Sequence, residues 1–452
     1  MRPRFLLLLL LAGCGSSQEL EYDLEPIVLA RAPVQVGGPD LGGLWATVAT
    51  PSGLEPLLVD TSFPYNSLAQ GSCPGTQGWS YTGQISVHGT NSGNPLRAVF
   101  ANLGLFDICP GASGSPSLQP FGVVGGSLLA NFAAGLVFPR AVDDASDPPQ
   151  LTLWPGFPGS DDDLAEDGYA VLHFNLRGSF SVAQGDGEAS ITLPNSRVVL
   201  SACAAANPFA TTDPRQVCAT GQTNVLASGQ DLMLAVGTGE GPLVLSQAAW
   251  SRIAAGLGLA ADAGTPGDLY TPYSAAPTQA NFVSLPSLAL LQGITDSSWL
   301  GPCADLARAR RVEWVLANQA QTNPADRANQ SCFEPCDVSS GESVATHAYL
   351  ELDGALVTAV VPDTSDLILS LNADVAAQPH VDGLIGAATL AGTGIWIDYA
   401  AQPQGRVVAG CLAGETRATC FAAGSCPNLA QGQQAFCFGQ SWQRSAPLCN
   451  TP

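Results

Sequence analysis

Leu57-Leu-Val-Asp60-Thr61-Ser62 and Leu232-Met-Leu-Ala-Val-Gly237-Thr238-Gly239 are two short apolar runs that each end in a small polar turn. A brief apolar run bounded by turn residues reads as a buried strand. The first continues into Phe-Pro-Tyr-Asn-Ser-Leu68, the second into Glu-Gly-Pro-Leu-Val-Leu-Ser246 and a helical stretch from Gln247 to Ala255. Each run also has a later companion. Phe121-Gly-Val-Val-Gly-Gly follows the first and Asp382-Gly-Leu-Ile-Gly-Ala the second. Both companions set an apolar pair between glycines, then a short turn, then an apolar strand reaching Phe138 or Asp398. The same two signals in the same order, twice, mark an internal duplication. Long 3.6-period stretches are scarce and glycine and proline are abundant, which favours a turn-rich, all-β chain.

This pattern resembles the pepsin-like and retropepsin-like aspartic proteases, over roughly residues 34 to 410. Each lobe in that family carries an apolar strand ending in Asp-Thr-Gly and a later apolar-apolar-Gly segment beside it. The resemblance implies a bilobal all-β fold, two retropepsin-like β-barrel lobes with a cleft between them. It also implies an acid pair, because two adjacent carboxylates cannot both ionise and so share a proton. The threonine after each aspartate would bond to the opposite lobe. Tyr81, in Trp79-Ser-Tyr81-Thr-Gly83, falls where the family's substrate-covering flap would lie.

The chain departs from the family at the reacting atoms. Lobe one keeps Asp60 and Thr61 but has Ser62 where glycine belongs. Lobe two keeps Thr238 and Gly239 but has Gly237 where aspartate belongs. One carboxylate cannot share a proton with itself, so the leading expectation is a non-catalytic pseudoprotease that binds a peptide or protein. The alternative is an active aspartic endopeptidase pairing Asp60 with a second carboxylate, Asp363, in Val361-Pro-Asp363-Thr364-Ser365. Chain length weighs against Asp363: sixty-two residues separate Asp60 from Gly122, but only twenty separate Asp363 from Gly383. A third reading is a structural surface lipoprotein. Serine-hydrolase chemistry finds no Gly-x-Ser-x-Gly elbow.

The N-terminus gives the setting. Arg2 and Arg4 precede the apolar Phe5 to Leu11, and Leu11-Ala12-Gly13-Cys14 follows. That order is a secretion signal, too short to span a bilayer. It resembles the bacterial lipobox, in which the cysteine is acylated (with palmitate, for example) and becomes the new N-terminus. Residues 1–13 are then a signal peptide and 14–33 a tether, and no aspartate follows Cys14. By analogy with Gram-negative sorting, this implies an anchor in the outer membrane of the cell envelope. Removing Cys14 from thirteen cysteines leaves an even twelve, as an oxidising compartment favours.

Among those cysteines, Cys73 and Cys109 are expected to pair in lobe one, and Cys203 and Cys218 are near neighbours in lobe two. Cys332-x-x-x-Cys336 has no histidine at ligand spacing and reads as disulfide rather than zinc. No metal or cofactor is expected. The sixteen basic residues are all arginine, so no lysine nucleophile or Schiff base is available. A formal charge of −22 argues against a nucleic-acid partner.

The expected domains are lobe one at 34–158, lobe two at 159–410 with an insertion about 257–343, and a disulfide-rich tail at 411–452. Pro139 to Asp167, with Asp161-Asp162-Asp163, reads as a solvated linker, and Ala304 to Ala320 as a helix.

Overall fold

The computed structural model describes stretches between residues 27 and 411. They are 27–28, 30–31, 43–50, 53–64, 66–68, 80–82, 86–88, 95–96, 104–107, 122–130, 132–138, 149–154, 159–161, 164, 169–174, 179–182, 191–194, 197–205, 229–262, 264–269, 271, 278–292, 301–303, 306, 349–373, 380–390, 393–399, 401 and 405–411. The expected signal peptide, Cys14, most of the expected tether, Cys73, Cys109, Cys218, Cys332, Cys336 and the residues beyond 411 lie outside the described residues.

Strands dominate, and helices are few and short. They form three main sheets. A nine-stranded sheet holds the first duplicated unit and a seven-stranded sheet the second, while a six-stranded sheet takes strands from both parts of the chain.

The duplication is repeated strand by strand in the pairing. Gly53–Val59, the run that ends at Asp60, lies parallel to Gly122–Val124, with Val123 opposite Leu58. Gln230–Val236, the run that ends at Gly237, lies parallel to Gly383–Ile385, with Leu234 opposite Gly383. Each companion then pairs antiparallel with the strand after its loop, Asn66–Leu68 in one unit and Leu243–Ser246 in the other. Both of those strands continue into a parallel neighbour, Gly104–Asp107 or Tyr349–Val361. Strands flanked by partners on both sides and packed on both faces need near-continuous apolar sequence. Leu57, Val59, Leu234, Ala235 and Leu384 are accordingly all buried.

The shared sheet joins the halves. Ala133–Phe138 pairs antiparallel with Thr393–Asp398 over six residues, and Gln150–Trp154 and Gly405–Cys411 flank that central pair. One continuous core runs through both halves, from Leu44 and Leu57 through Phe138 and Phe174 to Trp250 and Val407.

Several expectations change here. The supposed linker contributes a core strand, Gln150–Trp154, whose Leu151 and Leu153 are buried. Asp161 is a structural ion-pair residue: its Oδ1 meets Arg406 Nη1 at 2.7 Å and its Oδ2 meets His173 Nε2 at 2.7 Å. Arg406, nearly buried, also donates to Asp398 and to the Gly159 carbonyl. The expected insertion about 257–343 holds the long strand Thr278–Leu291, which is a central member of the second unit's sheet, between Tyr349–Val361 and Thr265–Leu269. Of the helix expected over 304–320, Leu306 is helical, with Pro302 and Cys303 just before it, and the rest lies outside the described residues.

The helix after the second loop spans Gln247–Leu257, two residues beyond its predicted end. Ser246 caps it by accepting the Ala249 N–H, and Gly258 closes it in the left-handed region at φ 68°. Trp250, Ile253 and Ala254, spaced three and four apart, form its buried face.

The sequence left the partner of Cys203 open; the structure bonds it to Cys303. Cys203 sits mid-strand, facing a pocket of Leu291, Leu306 and Tyr349, and the Asp231 carboxylate accepts the Cys303 N–H at 2.8 Å. That contact brings the start of the short helix to the strand, so a residue one hundred positions away becomes the neighbour.

Candidate functional site

The two duplicated loops meet face to face. Thr61 Oγ1 donates to the Val236 carbonyl at 2.6 Å, and Thr238 Oγ1 donates to the Val59 carbonyl at 2.6 Å. The Thr61 N–H also donates to Thr238 Oγ1 at 3.3 Å. All of these groups are buried, so each bond satisfies a polar atom that water cannot reach, and losing one would cost about 1–3 kcal/mol. The surroundings repeat too. The Asp60 N–H bonds to Val124 and the Gly237 N–H to Ile385, while the carbonyls of Phe63 and Glu240 accept from Gly126 and Ala387. Asp60 thus corresponds to Gly237, and Phe63 to Glu240.

Asp60 is fixed by its own loop. Its Oδ1 accepts both the N–H and the hydroxyl of Ser62, each at 2.8 Å. Its Oδ2 is buried and makes no well-formed hydrogen bond, although the Gly239 N–H acts on the carboxylate. Burial raises the Asp60 pKa, and the Ser62 and Gly239 N–H groups, the Ser62 hydroxyl and the more distant Arg197 charge only partly offset that rise. Arg197 itself is buried and donates to the carbonyls of Ser62 and Leu371, tying the loop from below.

Glycine at 239 is required by the approach of the opposite aspartate. A Cβ there would lie 2.7 Å from the Asp60 Cγ. Gly237 is different in kind. A Cβ on it would meet Ser62 Oγ at 3.0 Å, Ser62 Cβ at 3.1 Å and Glu240 Oε2 at 3.2 Å. The side of Gly237 from which an aspartate would project is occupied by Ser62 from one loop and by a carboxylate three residues further along its own.

That carboxylate is the residue the sequence reading missed. Glu240 is 1 % exposed; neither of its oxygens makes a well-formed hydrogen bond, and its own backbone N–H only partly offsets the effect of burial. In the first unit the matching position holds Phe63, packed with Leu58 and Val123, so the second unit sets a carboxylate where the first buries an aromatic ring. Burial pushes the Glu240 pKa well above the usual carboxylate range, and the Asp60 charge pushes it further. Tyr399, whose hydroxyl is also buried and unpartnered, is raised by burial and by the same Asp60 charge. The Asp60 charge thus acts on two buried acidic groups, Glu240 and Tyr399, whose oxygens make no well-formed hydrogen bonds. The expectation of lost chemistry rested on a single carboxylate, and the described residues hold two.

Asp363 has another task. It is exposed, and its Oδ1 accepts the Ala248 N–H at 2.9 Å, in the first turn of the 247–257 helix. A carboxylate there satisfies a helix-end donor and complements the helix dipole. Tyr81 lies on Ser80–Thr82, paired with Gly104–Asp107 at the end of the nine-stranded sheet, and its side chain is outside the described residues. The sequence did offer one signal for Glu240. It is the sole charged residue between Asp231 and Arg252, a span that includes two buried strands.

No protein-family model matches this chain, and no curated protein matches it. Among solved structures it is similar to basic 7S globulin from soybean, with 12 % sequence identity and a TM-score of 0.35, covering 85 % of this chain and 95 % of that one. A likeness that slight carries no argument about fold or function.

Proposed function

We propose that the protein is a lipid-anchored cell-envelope protein of pepsin-like, two-lobed architecture that binds an extended peptide or protein segment between its lobes. The observation that carries the binding reading is the reciprocal clasp between Asp60-Thr61-Ser62 and Gly237-Thr238-Gly239. Two matching strand ends are held in register there, so that both halves contribute to one location. The Leu-Ala-Gly-Cys14 sequence supports the anchor, with attachment to the outer membrane as the sorting expected for a cysteine not followed by aspartate. Multiple acyl chains would make that attachment stable.

Two measurements test this reading. Full-length protein in mild detergent should bind a fluorescent mixture of random octapeptides saturably, and a photoreactive version should crosslink near residues 60 and 237. Crosslinking confined to other regions, or no saturable binding, would overturn the ligand reading. In cells, a palmitate analogue should label the wild type and leave Cys14→Ala unlabelled, and equal labelling of the two would remove the anchor.

A second reading, a structural surface lipoprotein, draws on one observation: Asp60 and Glu240 are both covered. It predicts normal envelope attachment with no peptide binding.

A further inference from the structure

We propose that the joint between the two loops is a pH-operated fastener. Protonated Glu240 leaves the loops clasped over the site; ionised Glu240 parts them and admits the peptide. This rests on the peptide-binding reading above and supplies its regulation. It also accounts for a site whose carboxyls are covered in the clasped form.

The joint draws on all three main sheets. Asp60 follows Gly53–Val59 of the nine-stranded sheet, and Glu240 lies in the loop after Gln230–Val236 of the seven-stranded sheet. Tyr399 directly follows Thr393–Asp398 of the shared sheet. The hydrogen bonds here fall into two sets. One holds each loop to its own unit: the Asp60 N–H to Val124, the Gly237 N–H to Ile385, and the Ala387 N–H to the Glu240 carbonyl. The other crosses the joint, through Thr61 and Thr238, the Leu44 N–H on the Thr238 carbonyl, and Arg197 on the Ser62 carbonyl. An event that drives the loops apart can break the second set and leave each sheet intact. The clasped joint also has no room for a hydrated carboxylate. A Cβ on Gly239 would press on Asp60, and one on Gly43 would overlap the Gly239 carbonyl.

The charges around Glu240 decide the direction. Among the described residues Asp60 acts on it from the first loop, Tyr399 feels Asp60 from the shared sheet, and Arg197 acts on Asp60 from the second unit. Asp60 is the group equipped to be an anion. The Ser62 N–H and hydroxyl, the Gly239 N–H and the Arg197 charge all support it against burial. Glu240 has only its own N–H to set against burial and the Asp60 charge, so it is the last of the pair to ionise, above the usual carboxylate range. Tyr399, raised by burial, keeps its proton throughout. When Glu240 does ionise, a second negative charge appears beside the first in a sealed joint. Water must supply the missing solvation, and it reaches the carboxylate when the loops separate. A residue needed only to fill this slot could be an aromatic ring, as Phe63 is at the matching position of the first unit. The fastener therefore closes in acid and opens toward neutral pH.

The test follows amide exchange and peptide binding of the full-length protein in mild detergent from pH 4 to 8. In a short deuterium pulse, corrected for the intrinsic pH dependence of exchange, fragments holding Thr61 and Thr238 should label faster as pH rises. In the same pulse Ala133–Phe138 and Thr393–Asp398 should stay protected, which separates opening of the joint from loss of the fold. Capped random octapeptides without ionisable side chains should bind about tenfold more tightly at pH 8 than at pH 4, as for a site open about one-tenth of the time in acid. Glu240→Gln should hold both readouts at their acid values at every pH. Glu240→Met is a second uncharged variant in case the glutamine form folds poorly. Asp60→Asn, which removes the neighbouring charge, should move the transition to lower pH. Saturable binding with neither readout changing between pH 4 and 8 would overturn the inference and leave the binding reading intact. Labelling that rises at the joint with no peptide bound at any pH would overturn the binding reading and leave the fastener. A pH response that persists in Glu240→Gln, or labelling of the shared sheet in step with the joint, would overturn the inference.

Discussion

At the residue scale the informative exchange is between positions 237 and 240. The first unit keeps its carboxylate at the strand end and a phenylalanine three residues later; the second has glycine, then glutamate. The contacts make these two choices dependent on each other. An aspartate at 237 would press its Cβ on Ser62 and on Glu240, and would add a third carboxyl to a buried acidic cluster. Gly237→Asp should therefore destabilise the protein by about 1–3 kcal/mol, the usual cost of overpacking. Adding Ser62→Gly should recover part of the loss, because the nearest atoms belong to that side chain. Urea denaturation at pH 4 measures both, and a Gly237→Asp variant as stable as the wild type would show that the side of Gly237 is open. The two loop tripeptides were legible in the sequence because a strand end followed by Asp-Thr-Ser or Gly-Thr-Gly is a local pattern. Glu240 was not, because its importance lies in a side chain turning back across a loop, and no local rule of spacing records that.

Among the elements, the strands of the duplicated units were readable wherever they were continuously apolar. Gln150–Trp154 and Thr278–Leu291 were lost for the opposite reason. The first is embedded among prolines and aspartates, and the second carries polar residues at alternate positions along its exposed half, with a proline at 286. A register shift between Leu285 and Ser287 in its pairing with Tyr349–Val361 absorbs that proline, since a bulge needs no ladder donor there. The disulfide belongs to this scale as well, since it joins that sheet to the segment around Cys303. Spacing in the sequence favours near neighbours, whereas the fold brings together residues one hundred positions apart. A link closing so long a loop is worth about 4–5 kcal/mol on chain-entropy grounds. The double variant Cys203→Ser with Cys303→Ser should lose stability of that order in a thermal melt. Peptide mapping of the unreduced wild type should recover a fragment joining the two cysteines, and a fragment joining Cys203 to Cys218 would contradict the pairing.

For the whole molecule the buried acids set a dependence on pH. Asp60 and Glu240 both have folded pKa values above their ordinary 3.8 and 4.5. An acid raised in the folded state holds its proton more tightly there than in the unfolded chain. Its contribution is complete below the ordinary value and drains away as pH climbs through the raised one. Wild-type stability should therefore fall from pH 4 toward pH 7. Glu240→Gln, which cannot ionise, should fall less steeply. The variant should match the wild type near pH 4 and exceed it at pH 7 by on the order of 1–3 kcal/mol, the cost of an uncompensated buried group. The formal charge of −22 also disfavours the compact state as pH rises, but it acts almost equally on both proteins and cancels in the comparison. Parallel melting curves at every pH would mean that Glu240 does not carry a raised pKa.

The strand Ala133–Phe138 has one neighbour close by in the chain, Gln150–Trp154, and another, Thr393–Asp398, that is made near the far end. During synthesis its outer edge therefore stays open until residues 393–398 have been made. An unpaired strand edge is the feature through which chains join wrongly. The first half on its own should thus be a sticky fragment, and the chain is most open to wrong pairing before strand Thr393–Asp398 arrives to cover that edge.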